Sequence, residues 1–466
     1  MSPSARSADA VARVIKAYDV RGLVGEEIDE AFVAEVGAAF ARLVRADSAR
    51  VVIGYDMRES SPALAAAFAS GVTSQGLDVV RIGLASTDQL YFASGRLDCP
   101  GAMFTASHNP AAYNGIKLCR AGAKPVGQDT GLATIREELV AGVPEFDGPT
   151  GTVTDQDVLD DYGQFLRSLV DVTELRPLRV AIDAGNGMAG HTAPAVFGAV
   201  RGLTVVPLYF ELDGSFPNHE ANPLDPKNLV DLQKFVVESG ADIGLAFDGD
   251  ADRCFVVDER GRPVSPSTVT GLVAARELKR EIGATVIYNL ITSRAVPELV
   301  AERGGTPLRS RVGHSYIKAQ MADSGAIFGG EHSAHYYFRD FWGADSGMLA
   351  ALYVLAELGG QARPLSELTA DYQRYEPSGE INYTVDDAPA CVEAVLKSFG
   401  GRIHSIDHLD GVTVDLGDGA WFNLRTSNTE PLLRLNVEAR SVEEVDAVVA
   451  QVAAEIAATN AMQAVP

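Results

Sequence analysis

The stretch RVVIGYDMR (50–58) is a β-branched run ending in Asp-Met-Arg, and its continuation decides the fold. An Ala-rich helical stretch, SPALAAAFASGVTSQG (61–76), comes next, then the apolar run DVVRIGLAST (78–87), then GAMFTASHNP (101–110). Alternation of short β-branched runs with Ala/Leu-rich stretches is the pattern of α/β units. The order returns with RVAIDAGNG (179–187), LTVVPLYFELDG (203–214) and ADIGLAFDGDADR (241–253). A third round runs through TVIYNLITSR (285–294), TPLRSRVGH (306–314) and GAIFGGEHSAH (325–335). Each round predicts strand, helix, strand, helix, strand, and closes on an unusual polar loop. The period is too long and the copies too diverged for a solenoid, so three versions of one α/β domain are expected. Ligands of open α/β sheets bind where loops leave the carboxyl ends of strands. Three polar loops at corresponding positions are therefore expected to line one shared cleft.

From about residue 370 the pattern changes to INYTVDD (381–387), a helical stretch, the alternating run GVTVDLGDGAWFNLRTSNTEPLLRLNVEA (411–439) and a terminal helix. Alternation of this kind predicts an antiparallel sheet with helices. The expected fold class is thus α/β: three similar mixed-sheet α/β domains plus a smaller C-terminal α+β domain around a central cleft. The expected divisions are 1–152, 153–257, 258–368 and 369–466. A chain of 466 residues agrees, because a single core stops growing at about 250–300 residues.

The formal charge is −24, which argues against nucleic acid or an anionic membrane as the main partner. An acidic chain binds an anion only by gathering its cations into one cleft. Cys99, Cys119, Cys254 and Cys391 lie far apart without a CxxC, and read as small buried hydrophobes in a reducing compartment. The opening MSPSARSADAVARVIK has no apolar core of signal-peptide length, and no apolar span elsewhere would cross a bilayer. A cytoplasmic enzyme is expected.

The loop LAFDGDADR places Asp248, Asp250 and Asp252 directly after a buried strand. Carboxylates at alternate positions suit a hard divalent cation, here Mg²⁺, whereas a merely solvated turn leaves their mutual repulsion unexplained. Positions 1, 3, 5 and 12 match an EF-hand through Glu259, but position 6 is Arg253 instead of Gly and a strand precedes the loop. A haloacid-dehalogenase-type phosphatase would use Asp248 as nucleophile; against it, the fifth position is Asp252 and the loop lies mid-chain. RTSNTEP (425–431) brings an arginine, hydroxyls and an amide into one turn, either as phosphate donors or as ordinary turn chemistry. GEHSAH (330–335) sets a carboxylate beside a hydroxyl, as vicinal sugar hydroxyls require; a zinc site through His332 and His335 lacks a third ligand. VGHSYIK (312–318) adds His314, and KAYDVRG (16–22) adds Tyr18 and Arg21, neither informative alone. TASHNPAAYNGIK (105–117) holds Ser107 in a loop fixed by Asn-Pro.

Together, KAYDVRG, TASHNPAAYNGIK, DGDADR, GEHSAH and RTSNTEP resemble, in order and spacing, the α-D-phosphohexomutase family, over essentially the whole chain. The resemblance implies four domains around a cleft, and Ser107 as a serine phosphorylated in the active enzyme. It implies Asp248, Asp250 and Asp252, with the phosphate on Ser107, as Mg²⁺ ligands. Arg21, His108, Lys117 and Arg253 would surround the transferring phosphoryl group. Glu331 and Ser333 would hold sugar hydroxyls, with Tyr18, His314 and His335 as further substrate contacts. Arg425, Ser427, Asn428 and Thr429 would grip the substrate phosphate. The implied partners are hexose phosphates, with a hexose 1,6-bisphosphate as intermediate and activator, and the implied state is a monomer or weak dimer. The loop texts GEHSAH and RTSNTEP favour mannose and glucose phosphates over glucosamine phosphate. Two stretches depart from the family pattern. STDQLYF (86–92) stands where Thr-Pro is common, and YNLITSR (288–294) has Ile291 and Thr292 where relatives place a basic sugar contact, leaving Arg294 to compensate. A sugar-phosphate binding protein without turnover is the non-enzyme alternative, and the intact serine and aspartates argue against it.

Overall fold

A computed structural model describes residues 6–426 and 432–463, without the side chains of His314 and 461–463. The three rounds become three sheets with one internal order. In the first, Gly101–Phe104, Arg50–Tyr55 and Asp78–Leu84 lie side by side and parallel. The second repeats this with Ile243–Phe247, Leu178–Asp183 and Leu203–Leu208, and the third with Phe328–Gly330, Thr285–Asn289 and Thr306–Ser310. The last parallel strand of each round then pairs with an antiparallel neighbour: Tyr113–Arg120, Cys254–Asp258 or Tyr336–Phe338. Each polar loop is the link between those two strands, so all three leave the carboxyl end of a sheet.

Strands Gly101–Phe104 and Ile243–Phe247 are buried at every position, as expected where helices cover both faces of a parallel sheet. The first sheet gains Val20–Leu23 beside Tyr113–Arg120, and its edge strand Val153–Asp155 lies beyond residue 152. The second sheet likewise runs past 257 through Pro263–Val264. Backbone pairing continues there because each extra strand satisfies an otherwise open edge.

The fourth sheet is antiparallel throughout, in the order Glu376–Thr384, Leu432–Ala439, Ala420–Thr426, Val412–Gly417, Ser405–Asp407. Helices Ala388–Phe399 and Val442–Gln463 supply Val395, Val448 and Val452 to a core with Leu433, Leu435 and Val437 of one sheet face. One apolar core runs without a break from Val52 of the first sheet and Leu90 of the helix Thr87–Leu97, through Ile182 and Leu245 of the second sheet, to Phe328 and Leu365. The fourth sheet keeps a core of its own. Its ties to the third are polar: Arg294 N donates to Glu438 Oε1 at 2.9 Å, and Val312 N to Asp410 Oδ2 at 3.1 Å. The four cysteines are free and buried. Among the described residues no helix is long and apolar enough to cross a membrane.

Candidate active site

Ser107 sits in the first polar loop with φ 49°, a left-handed conformation that costs a non-glycine residue about 1–2 kcal/mol. The surroundings hold it there. Thr105 Oγ1 accepts from Ser107 N at 2.9 Å, and Arg58 is wired into the loop backbone. The Arg58 guanidinium donates to the carbonyls of Ser107 at 3.0 Å, Asn109 at 2.7 Å, Pro110 at 2.9 Å and Tyr113 at 3.1 Å. It is itself pinned by Asp56 Oδ2 at 3.2 Å, and both side chains are fully buried. Arg58 ends the stretch that decides the fold, yet it belongs to none of the sequence motifs; the rule that sites gather at strand carboxyl ends would have flagged it.

The second loop meets the first directly. Ser107 Oγ donates to Asp248 Oδ2 at 2.9 Å, which also accepts from Arg253 Nε at 2.8 Å. A Cβ at Gly249 would lie 2.3 Å from the Ser107 carbonyl oxygen, so glycine is what lets the two backbones touch. Lys117 Nζ reaches Asp250 Oδ2 and Asp252 Oδ2, both at 2.6 Å. Burial pushes the Asp248 carboxyl up to about 6, against the pull of Arg253. Burial acts the same way on Asp250, but Lys117 and then Thr87 outweigh it and hold that carboxyl below its usual range. His108 accepts from Arg253 Nη2 through Nδ1 at 2.7 Å and lies 3.2 Å from Ser107 Oγ. Burial, then Arg253 and Arg21, press its pKa well down, so the ring is neutral.

Asp250 Oδ1 and Asp252 Oδ1 are buried without a hydrogen-bond partner among the described residues. Such oxygens are costly to bury unless something pairs with them. The three aspartates bring ligand oxygens within 4.8 Å of one another, and an all-oxygen set suits a hard cation such as Mg²⁺. The residues fit the metal. A second acidic group, Asp252, His335 and Asp345, is equally tight. There, however, Asp345 is already engaged by Lys318 Nζ at 2.6 Å and His335 Nδ1 at 2.9 Å.

In the third loop Glu331 is buried and oriented: Oε2 accepts from Tyr337 OH at 2.6 Å, and Oε1 from Asn289 Nδ2 and Gly313 N, both at 3.2 Å. Ser333 lies half-buried beside it. His335 Nδ1 is 4.0 Å from Asp252 Oδ1, which brings the third loop against the second. His332 Nδ1 lies 3.0 Å from Ser267 Oγ instead, so the two histidines serve different partners. Arg21 donates to Ala106 O at 3.2 Å and Asn109 Oδ1 at 2.5 Å, supporting the serine loop from the neighbouring strand. Tyr18 packs edge-on against Tyr316 with ring centres 6.4 Å apart. Arg425 ends a strand of the fourth sheet and lies 3.3 Å from Glu380. Ser427, Asn428 and Thr429 lie outside the described residues, as does the His314 side chain.

Comparison with known proteins matches all four domain models of the phosphoglucomutase/phosphomannomutase group. Alpha/beta/alpha domains I, II and III match residues 12–142, 160–261 and 266–375, and the C-terminal domain matches 380–455. The chain belongs to the α-D-phosphohexomutase family. A protein of Xanthomonas campestris described as "Phosphohexose mutases" is 41% identical over 91% of this chain and 94% of its own length. A phosphomannomutase of Salmonella montevideo is 39% identical over 91% of this chain and 94% of its own. A phosphoglucomutase/phosphomannomutase family protein of Burkholderia thailandensis superposes with a TM-score of 0.87 at 32% identity, covering 96% of this chain and 97% of its own. The chain is accordingly an intramolecular phosphotransferase, a phosphohexomutase.

Within this phosphohexomutase both departures from the family pattern have partners. In STDQLYF, Thr87 Oγ1 donates to Asp250 Oδ2 at 2.5 Å, linking helix Thr87–Leu97 to the acidic loop. Asp88 accepts hydroxyls from all three similar domains: Ser86, Tyr162 at 2.7 Å and Ser346 at 2.6 Å. In YNLITSR, Asn289 steadies Glu331, and Thr292 Oγ1 donates to Asn289 Oδ1 at 2.6 Å. Arg294 lies where the third and fourth sheets meet. Its guanidinium binds Asp415 Oδ2 at 2.7 Å and so ties the third sheet to the fourth.

Proposed function

We propose that this phosphohexomutase interconverts mannose 1-phosphate and mannose 6-phosphate, and glucose phosphates as well, through a phosphoserine at Ser107. The observation that carries the reading is the hydrogen bond from Ser107 Oγ to Asp248, made inside a buried and charge-balanced cluster. In the forward direction the bond from Ser107 Oγ to phosphorus breaks as O6 of the hexose 1-phosphate bonds to phosphorus, and the proton lost from O6 ends on Ser107 Oγ, which is restored as a hydroxyl. The resulting hexose 1,6-bisphosphate turns over, and its C1 phosphoryl group returns to Ser107, leaving hexose 6-phosphate. Phosphoryl transfer asks mainly for alignment and neutralisation of charge. Arg253, Lys117 and Arg21 gather at the serine for that purpose. Mg²⁺ held by Asp248, Asp250, Asp252 and the phosphate of Ser107 would add positive charge at the same point. Glu331 and Ser333 would take sugar hydroxyls, with Tyr18, His314 and His335 beside them, and Arg425, Ser427, Asn428 and Thr429 would take the non-reacting phosphate.

An aspartyl-phosphate reaction at Asp248 is disfavoured, because Ser107 and Arg253 occupy Oδ2 while Oδ1 accepts from Arg253 N at 3.1 Å. Mannose as the hexose is supported by the relatives described as phosphomannomutases. A cytoplasmic monomer or weak dimer, divided near residues 152, 257 and 368, completes the reading. Peptide mapping of purified protein tests it: an acid-stable phosphate is expected on Ser107, and an acyl phosphate on Asp248 would overturn it. Rates on mannose, glucose and glucosamine 1-phosphates, each with a trace of 1,6-bisphosphate, test the substrate. Preference for glucosamine 1-phosphate would move the chain to the alternative phosphoglucosamine mutase branch.

A further inference from the structure

The link between strand Leu203–Leu208 and the turn Pro226–Leu229 runs through GSFPNHEANP (214–223) without a helix or strand of its own. So long an irregular segment in a packed domain is usually functional. This one lies against the serine clamp. A Cβ on Gly214 would be 2.7 Å from Arg58 Cα, and the Phe216 ring centre is 5.1 Å from the Arg58 guanidinium carbon. Phe216 takes φ 53° there, a conformation disfavoured outside glycine. Further on, Ala221 is buried, and its Cβ would lie 3.6 Å from a Cβ on Gly249, the glycine that meets the Ser107 backbone. One histidine fastens the segment. His219 Nε2 lies 3.0 Å from Asp183 Oδ2, and Nδ1 lies 2.9 Å from the Glu220 carbonyl oxygen. A carbonyl and a carboxylate only accept, so both ring nitrogens carry hydrogen and the ring is an imidazolium. Asp183 is 1% exposed and gives its other oxygen to Gly185 N at 2.8 Å. Tyr209 meets the imidazole edge-on with ring centres 5.5 Å apart, and its hydroxyl donates to Asp231 Oδ2 at 3.0 Å. Asp183 and Asp231 are thus the charges facing the ring from neighbouring elements, while Glu220 on its own segment pairs with Lys227 at 3.3 Å. Burial presses the imidazole pKa down, but Asp183 outweighs it and raises the value above 6.5.

We propose that His219 is a positioning residue for phosphoryl transfer: fastened between Asp183 and the Glu220 carbonyl, it straps residues 214–221 across Arg58 and Gly249 and so holds the serine loop against the acidic loop. The strap rests on these contacts alone, and its effect on turnover rests on the phosphoserine reading above. Loss of a proton loosens it. A neutral ring keeps one N–H, so either the Glu220 carbonyl or the buried Asp183 carboxylate loses its donor. Because the folded pKa is raised, the fastening is complete below the ordinary value of 6.5 and is lost as pH rises through the folded one.

Imidazole nitrogen NMR spectra and steady-state kinetics on mannose 1-phosphate, with a trace of 1,6-bisphosphate, test this on the full-length protein from about pH 6 to 9. His219 is expected to carry both ring protons at the acid end. As it loses one, kcat should fall by roughly tenfold, the worth of one charge-assisted hydrogen bond, with KM little changed. Asp183→Asn is the discriminating variant. Its Oδ1 still accepts from Gly185 N while its Nδ2 donates to a neutral ring, so the fastening survives deprotonation. Its His219 midpoint should drop below that of the wild type, and the alkaline loss of kcat due to the strap should disappear. His219→Gln should give the lowered kcat across the whole range. If His219 carries a single ring proton at the acid end, or if wild type and Asp183→Asn share one kcat profile, the proposal falls. Failure of the mutase reading would show separately, as absence of wild-type turnover on every hexose 1-phosphate. Hydrogen exchange in residues 105–110 at alkaline pH would then decide the strap: faster in wild type than in Asp183→Asn if it holds, equal if it does not.

Discussion

The contact between the first two polar loops and the contact around the fourth sheet use the same charged groups in opposite ways. At Ser107, Arg253 lies 2.8 Å from Asp248 and Lys117 lies 2.6 Å from both Asp250 and Asp252. At Arg425 and Arg434 two guanidiniums share one carboxylate at 3.3 and 3.4 Å, with donors left over. The first region is bound by short ion pairs between loops, while Asp250 Oδ1 and Asp252 Oδ1 are left without a hydrogen-bond partner among the described residues. The cores follow the same division, since one apolar core binds the first three sheets and the fourth docks through polar contacts.

Removing the centre of the assembled region gives the largest effect. Ser107→Ala is expected to lower turnover by at least about a thousandfold, because the group that would carry the phosphoryl is gone. Hexose-phosphate binding by calorimetry should survive, and full activity in the variant would end the assignment. Next comes the clamp behind the serine. Arg58→Met leaves Asp56 buried without its partner, a change expected to cost about 3–5 kcal/mol in urea unfolding. Activity should fall further than stability explains, since four loop carbonyls lose their donor.

Asp88 sharpens the comparison at the junction of the first three domains. Among the described residues no cation pairs with it, and burial pushes its carboxyl from 3.8 up to about 7, despite three hydroxyl donors. Between about pH 4 and 7 the folded protein thus holds a proton that the unfolded chain has released. Stability contributed by this group is therefore lost as pH rises through that window. Asp88→Asn, which stays neutral, should flatten the profile, with a difference between pH 5 and 8 of about 1–3 kcal/mol in unfolding free energy. Identical slopes for the two proteins would show that Asp88 does not titrate there. The smallest effect is expected at the polar seam of the fourth sheet. Arg294→Gln removes a half-exposed pair with Asp415, and should change global stability by no more than about 1 kcal/mol. Its signature would be faster proteolysis or hydrogen exchange confined to the third–fourth contact.

Much of this was legible in the chain. The repeat predicted three sheets of one design because strand and helix periodicity are written locally. The acidic loop announced itself because three carboxylates after a buried strand demand a cation. Only the position of Arg58 at a strand's carboxyl end was legible; its role was not, since a lone arginine there looks like any surface charge until four carbonyls turn toward it. Asp88 was hidden for the same reason, as its partners Tyr162 and Ser346 lie 74 and 258 residues away. The partner of Arg294 was equally hidden, as Asp415 belongs to the fourth sheet.

By itself, then, the sequence determined the number and kind of the domains, the order of their loops and the residues able to carry phosphate and metal chemistry, because each of these is encoded within a few neighbouring residues. Only the tertiary structure decided which charges neutralise one another and which are left open. That pairing depends on distances between loops far apart in the chain: Ser107 meets Asp248 and Arg425 shares Glu380 with Arg434 only after the sheets have packed.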